Sequence, residues 1–377
     1  MPRSSIIILG GGLAGGLIAL ALAVRRPDVD VTIVEAGATL GGNHLWSFFG
    51  SDIVEAERAL IDPLIVHRWP AYDVRFPAHQ RTIDQPYHSI TSERLDAVLR
   101  ATLPADAIVH AVAESATGRT VRLTNGHTLK ADALIDARGG GDLSAFECGW
   151  QKFVGQTFHL ARPHGLRRPV VMDATVDQSE GYRFVYLLPF GPNDVFVEDT
   201  YYSDNPLLDE PAIGARIAAF CAAQGWEIAS LNHCETGVLP VVMGGNFDRF
   251  WPADDPLGRA GARAALFQPL TSYSLPDAVR FAAWFAAQPD LSAADTRAYA
   301  RRCWTSGGYY RLLSTMLFRA ADPADRYRVL ERFYRLPAPL IERFYAGRST
   351  LGDRIRILAG RPPVSVARAM SAIWGNS

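Results

Sequence analysis

Apolar residues along this chain switch between two periods. At the N-terminus the unbroken run Ile6-Ile7-Ile8-Leu9 predicts a short strand buried on both faces. Gly10-x-Gly12-x-x-Gly15 follows directly, and Leu17, Leu20, Ala21 and Val24 then recur at helical spacing. A second strand, Val31-Thr32-Ile33-Val34, ends at Glu35. Ser92 is read as the cap of a helix carrying Leu95, Val98, Leu99 and Leu103, and Ala133 to Asp136 as a strand running into Arg138 and Gly139. In the middle of the chain the period shortens to two. Tyr182, Phe184 and Tyr186 share one face of a strand, and Pro189 to Asp194 reads as a turn. The returning strand from Asp194 to Thr200 puts Glu198 and Asp199 on opposite faces. Asp209 and Pro211 open a helix with Ile213, Ile217, Phe220 and Cys221 as its apolar stripe. Past Gly258, a glycine-bearing loop up to Ser274 precedes another helix.

These elements predict an α/β protein. A Rossmann-type nucleotide-binding domain takes residues 1–60, 92–145 and 245–290. A β-rich substrate domain, residues 62–91 and 151–242, is inserted into it, and residues 291–377 form a helical C-terminal region.

The glycine motif alone is weak. Here strand, glycines, helix, second strand and acid come in order. Gly10 permits the tight turn, Gly12 lets a pyrophosphate approach the backbone, and Gly15 lets helix and strand pack closely. Glu35 is placed to accept hydrogen bonds from a ribose and to repel a 2′-phosphate. Three features favour FAD over NAD: the glycine pair Gly41-Gly42, the N-terminal position of the motif, and two later returns to the same sheet edge. Asp136 and Gly139 mark the first return, and the Gly258–Ser274 loop, with Gly261 and Thr271, marks the second. Arg94 has two readings, one near the cofactor and one at the surface. Glu198 likewise reads equally well as a solvent-facing strand acid or as an acid in a cavity.

Composition narrows the partners. The formal net charge of −1 argues against nucleic acid, and the four scattered cysteines form neither a metal site nor a disulfide framework, which points to a reducing cytosol. No metal is expected. From Arg297 onward, fifteen arginines face five acids. Tyr309, Leu312, Leu313, Met316 and Leu317 lie on one helical stripe with Arg311 and Arg319 close by, so the segment reads either as a membrane-docking surface or as a bundle helix.

Several segments together resemble bacterial lycopene beta-cyclases. They are Gly41 to Phe48, Gly155-Gln156, Pro163-His164-Gly165, Gly181 to Tyr186, Phe196 to Tyr202, Gly237 to Pro240 and Phe344 to Gly347, and the likeness runs from about Ile6 to Pro363. The resemblance implies FAD, lycopene as substrate, and beta-carotene formed through gamma-carotene. It matches the family's acidic pair to Glu198 and Asp199, with Glu198 as the general acid in an apolar pocket. Phe184, Tyr186, Tyr201 and Tyr202 are the aromatic faces expected to stabilise a cation, alongside reduced flavin. NADPH or another electron donor would serve only to reduce the flavin. A long hydrocarbon substrate implies a cytoplasmic protein held at the membrane surface, with neighbouring carotenoid enzymes as possible partners. A flavin monooxygenase or reductase acting on an apolar isoprenoid is the alternative. The chain departs from the family's His-Pro-Thr-Thr-Gly-Tyr-Ser loop, reading Gln268-Pro269-Leu270-Thr271-Ser272-Tyr273-Ser274. Serine in the glycine's place is expected to be strained if its φ is positive.

Overall fold

The computed structural model describes residues 4–290 and 292–359. Residues 1–3, 291 and 360–377, and with them the end of the arginine-rich tail, lie outside the described residues.

The glycine motif opens a five-stranded sheet in the order Gly258–Arg259, Ala133–Asp136, Ser4–Leu9, Val29–Glu35, Ile108–His110, with every pairing parallel. Leu9 lies level with Val34 on one side and Asp136 on the other, so the glycine loop, Glu35 and Asp136 share one sheet edge. That is the edge where parallel sheets open a crevice for ligands. The helix Leu13–Arg25 packs on this sheet and against the helix Leu275–Ala286. Its Leu17, Ile18, Ala19 and Leu22 are wholly buried.

A second, seven-stranded sheet runs in the order Ile228–Gly245, Phe146–Leu160, Asp194–Ser203, Tyr182–Pro189, Val170–Asp173, Tyr72–Phe76, His79–Ile83. The turn expected between Pro189 and Asp194 is there, closed by Phe190 N–H donating to Asp194 O at 2.9 Å. One face of this sheet carries an aromatic cluster that includes Tyr182, Phe184, Tyr186, Phe196 and Tyr202. The other face packs on the helix Glu210–Ala223 through Ile213, Ile217 and Cys221. Residues 62–91 divide between sheets. His67–Trp69 and Tyr87–Thr91 pair in a three-stranded sheet with Leu45–Phe49, while Tyr72–Phe76 and His79–Ile83 extend the large one.

One sequence expectation shifts. The helix at 92 is capped by Thr91, whose hydroxyl accepts Arg94 N–H at 3.2 Å, and Ser92 is its first residue. Arg94 takes its surface reading, donating to Pro63 O at 2.8 Å. The Tyr309–Leu317 stripe is half-buried, with Leu317 alone fully so, and it is the neighbouring face of the helix that turns inward. That helix, Gly308–Thr315, packs on the Ile228–Gly245 strand and buries Tyr310, Ser314 and Thr315. Arg311 lies over the Trp304 ring at 3.9 Å, and Arg319 pairs with Glu147. Among the described residues, no helix is long and apolar enough to cross a membrane.

Candidate functional site

Two spaces meet between the sheets. The first is a cleft of about 470 Å³ over the parallel sheet edge, lined by Gly10, Gly12, Glu35, Gly41, Gly42, Arg138, Gly139 and Gly261. Gly10 has a φ of +93°, and a side chain there would meet Arg138 N at 2.9 Å. A side chain at Gly15 would lie 2.0 Å from Gly10 O, so no other residue fits under the loop. Nothing stands within 4 Å of where a Gly12 side chain would be, which leaves open space in front of the helix N-terminus. Glu35 braces the loop by accepting Gly11 N–H at 2.7 Å and Gly37 N–H at 2.8 Å. Asp136 is buried and does not reach the cleft wall. It holds Arg138 through two hydrogen bonds, Nε at 2.9 Å and Nη2 at 2.8 Å, and Arg138 lines the cleft in its place.

The second space is a cavity of about 170 Å³ on the aromatic face of the large sheet. Glu198, Phe184, Tyr186, Tyr202 and Thr271 line it, together with Trp46, Phe49, Tyr87, Phe153, Phe196, Glu235 and Tyr273. Trp46 and Ser274 line both spaces, so a ligand filling the cleft would abut the cavity. Thr271 stands on the cavity side alone. The Tyr87 hydroxyl lies 2.9 Å from those of both Tyr186 and Tyr273. The hydroxyls therefore satisfy one another, and the cavity presents ring faces to whatever enters. Burial raises all three phenols well above the ordinary value, so they are neutral.

Of the two expected acids, only Glu198 faces this cavity. Withdrawal from solvent pushes its carboxyl up to about 8, with Glu235 and Asp199 adding to the rise against the Thr200 hydroxyl bonded to it at 2.5 Å. It is therefore protonated at neutral pH. Asp199 points through the sheet to the opposite side. It is fully buried, takes two hydrogen bonds from Arg183 at 2.8 and 2.9 Å, and accepts the Tyr201 hydroxyl at 2.8 Å. Tyr201 goes with it and packs against Ile213 and Ile217. Strand pleating separates neighbours, so Asp199 and Tyr201 are not brought to Glu198's side.

A third carboxylate that sequence reasoning passed over, Glu235, lies in the cavity wall. Its only signal is an acid one residue before Thr236-Gly237 in a strand whose later positions are apolar.

Ser272 does adopt a left-handed conformation, with a φ of +57°. Its hydroxyl offsets the strain by donating to Pro240 O at 2.7 Å. Ser272→Ala keeps the strain and loses the bond, and should destabilise by about 1 kcal/mol in denaturant unfolding. Ser272→Gly loses the bond but releases strain of about 1–2 kcal/mol, and should be close to neutral.

A family model described as lycopene cyclase protein matches residues 5–371. The chain is 44% identical to a lycopene beta-cyclase of Pantoea ananas, covering 99% of this chain and 98% of the relative. It is 40% identical to a lycopene beta-cyclase of a Paracoccus strain, covering 98% and 96%. Among solved structures, a flavin-dependent brominase superposes with a TM-score of 0.64 at 13% identity over 99% of both chains. A geranylgeranyl bacteriochlorophyll reductase-like protein of Thermoplasma acidophilum does so at 0.62 and 13%, over 96% and 97%. Those two likenesses establish a flavoenzyme-type fold. The full-length match to the family model and the identity to its members establish more: this chain belongs to the lycopene cyclase family.

Proposed function

We propose that the chain is a FAD-dependent lycopene beta-cyclase that closes the linear ends of lycopene into beta-rings, through gamma-carotene, with no net oxidation. The observation that carries this reading is the Glu198 carboxyl set among aromatic faces and next to a cleft that fits a dinucleotide. Glu198 delivers a proton to C2 of a terminal double bond, leaving a tertiary cation at C1. The C5–C6 double bond attacks that cation, and loss of a proton from C6 completes the ring. Protonating an alkene needs an acid that still holds its proton beside the substrate, which the aromatic wall around Glu198 favours. The faces of Phe184, Tyr186 and Tyr202 attract the passing cation.

The cleft suits FAD in its chemistry. The open space before Gly12 and the helix N-terminus suit a pyrophosphate, Glu35 suits a ribose, and Gly42, Gly139 and Gly261 leave room for close approach. Reduced FAD, replenished by NADPH or another donor, supplies negative charge beside the cation and is not consumed.

Docking on the cytoplasmic membrane surface fits the last described helix, Leu351–Leu358. Leu351, Ile355 and Leu358 stand out from it at 74%, 61% and 44% exposure, with Arg354 and Arg356 interleaved.

The test is an anaerobic assay of FAD-loaded protein with a chemical reductant and lycopene in liposomes. A product isomeric with lycopene, formed without stoichiometric loss of reductant, is expected. A product heavier by oxygen or hydrogen would overturn the reading in favour of a monooxygenase or reductase.

A further inference from the structure

The cyclisation described above delivers a proton to C2 and removes one from C6, so a basic group must stand within reach of C6. We infer that Glu235 is the base, taking the C6 proton two strands away from Glu198 on the same cavity wall and thereby fixing the beta type of the ring. The inference rests on the cyclase reading and adds a second catalytic residue to it.

Three observations place Glu235 there. Its side chain is only 5% exposed, yet it lines the same cavity as Glu198. Gly155 is in register with Glu198 on one neighbouring strand and with Glu235 on the other. The two acids thus flank one residue on one sheet face, with backbones roughly 10 Å apart over two strand spacings. That residue is a glycine. A side chain on it would stand 2.4 Å from the Phe196 ring and 3.4 Å from Glu235 Cγ, so the glycine is what lets the Phe196 ring lie over the strand between the two acids. Glu235 Oε2 accepts Leu45 N–H at 3.0 Å, which orients the group. Oε1 takes no hydrogen bond among the described residues.

A buried acid with no reaction to serve is a costly feature, whereas two carboxyls set along one cavity wall can give a proton at one carbon of a bound ring and take one at another. The balance closes. The Glu198 O–H bond breaks as C2–H forms, and the C5–C6 π pair becomes the C1–C6 bond, moving the cation to C5. The C6–H bond then breaks, its pair makes the C5–C6 double bond, and the proton goes to Glu235. Glu235 now holds what Glu198 gave up. His44 Nδ1, 3.7 Å from Glu235 Oε2 on a ring with 54% of its side chain exposed, connects the pair to solvent, through which protons equilibrate before the next end is bound.

The base's position decides which ring forms, because loss from C4 in place of C6 gives the epsilon ring. Glu235→Gln separates this role from a structural one, since the glutamine carbonyl still accepts Leu45 N–H but cannot take a proton from carbon. With the FAD-loaded enzyme, reductant and lycopene liposomes, Glu235→Gln should lower kcat by about 10²–10⁴. KM for lycopene and the melting temperature should stay near wild type. The residual product should contain epsilon rings, and Glu235→Asp should restore part of the rate with beta rings only. Glu235→Gln turning over within about threefold of wild type, with beta rings alone, would overturn the inference while leaving the cyclase reading intact. Wild type that leaves lycopene unaltered would instead sink the cyclase reading and this one with it.

Discussion

Glu198→Gln is expected to cut ring formation by at least about 10³ while lycopene still binds, because the amide matches the acid in shape and has no proton to give. Chromatography of the assay products measures it directly. The wild-type profile should carry the same signature. Activity holds at neutral pH and falls as pH rises through about 8, where Glu198 loses its proton. The linkage sign runs against stability. A carboxyl whose folded-state pKa is raised binds its proton more tightly in the fold than in the unfolded chain, so the fold weakens as pH climbs from the ordinary carboxylate range to about 8. Glu198→Gln removes that slope. At pH 9 it should be more stable than wild type, by a few kcal/mol in order of magnitude. A variant equally active, or a profile flat to pH 9.5, would remove Glu198 from the role.

The second large effect concerns stability. Arg183→Met should destabilise the fold by about 3–5 kcal/mol, since it strands a fully buried Asp199 without its guanidinium. The Tyr201 hydroxyl alone would remain on that carboxylate, itself held by Arg216 Nη1 at 2.8 Å. The double variant Arg183→Met with Asp199→Leu should recover much of the loss, because an apolar pair of similar volume suits a face already packed with Val185, Val197 and Ile217. Urea unfolding of the two variants decides it. A loss for Arg183→Met below about 1 kcal/mol would mean that water reaches the pair.

The parts of this site readable from the sequence are those written in adjacent residues. The glycine loop, Glu35 and the strand around Glu198 each lie within a short window, and the structure puts the first two on the cleft and Glu198 on the cavity. Ser272 belongs here too, because the strain follows from one residue type at one turn. What was not readable depends on facing. Both sides of the Asp194–Ser203 strand are buried, so no polar–apolar alternation distinguishes the cavity side from the side of Asp199 and Tyr201. Glu235 meets Glu198 only through two strand pairings and a shared glycine, a relation that no local pattern encodes. The stripe around Leu313 has the same spacing whether lipid or a sheet covers it. Here it is half-buried beside Leu330 and Phe333, and past residue 240 the exposed large apolar positions among the described residues are Leu351, Ile355 and Leu358.

The smallness of the cavity has a kinetic consequence. A space of about 170 Å³ admits one end of a long symmetrical polyene, not both. Each molecule must therefore back out, reverse and return before its second end reacts. The share of one-ringed product becomes a race between that reversal and escape into the bilayer. More vesicle lipid per enzyme favours escape and enriches gamma-carotene, and tighter holding of the chain at the mouth favours the two-ringed product.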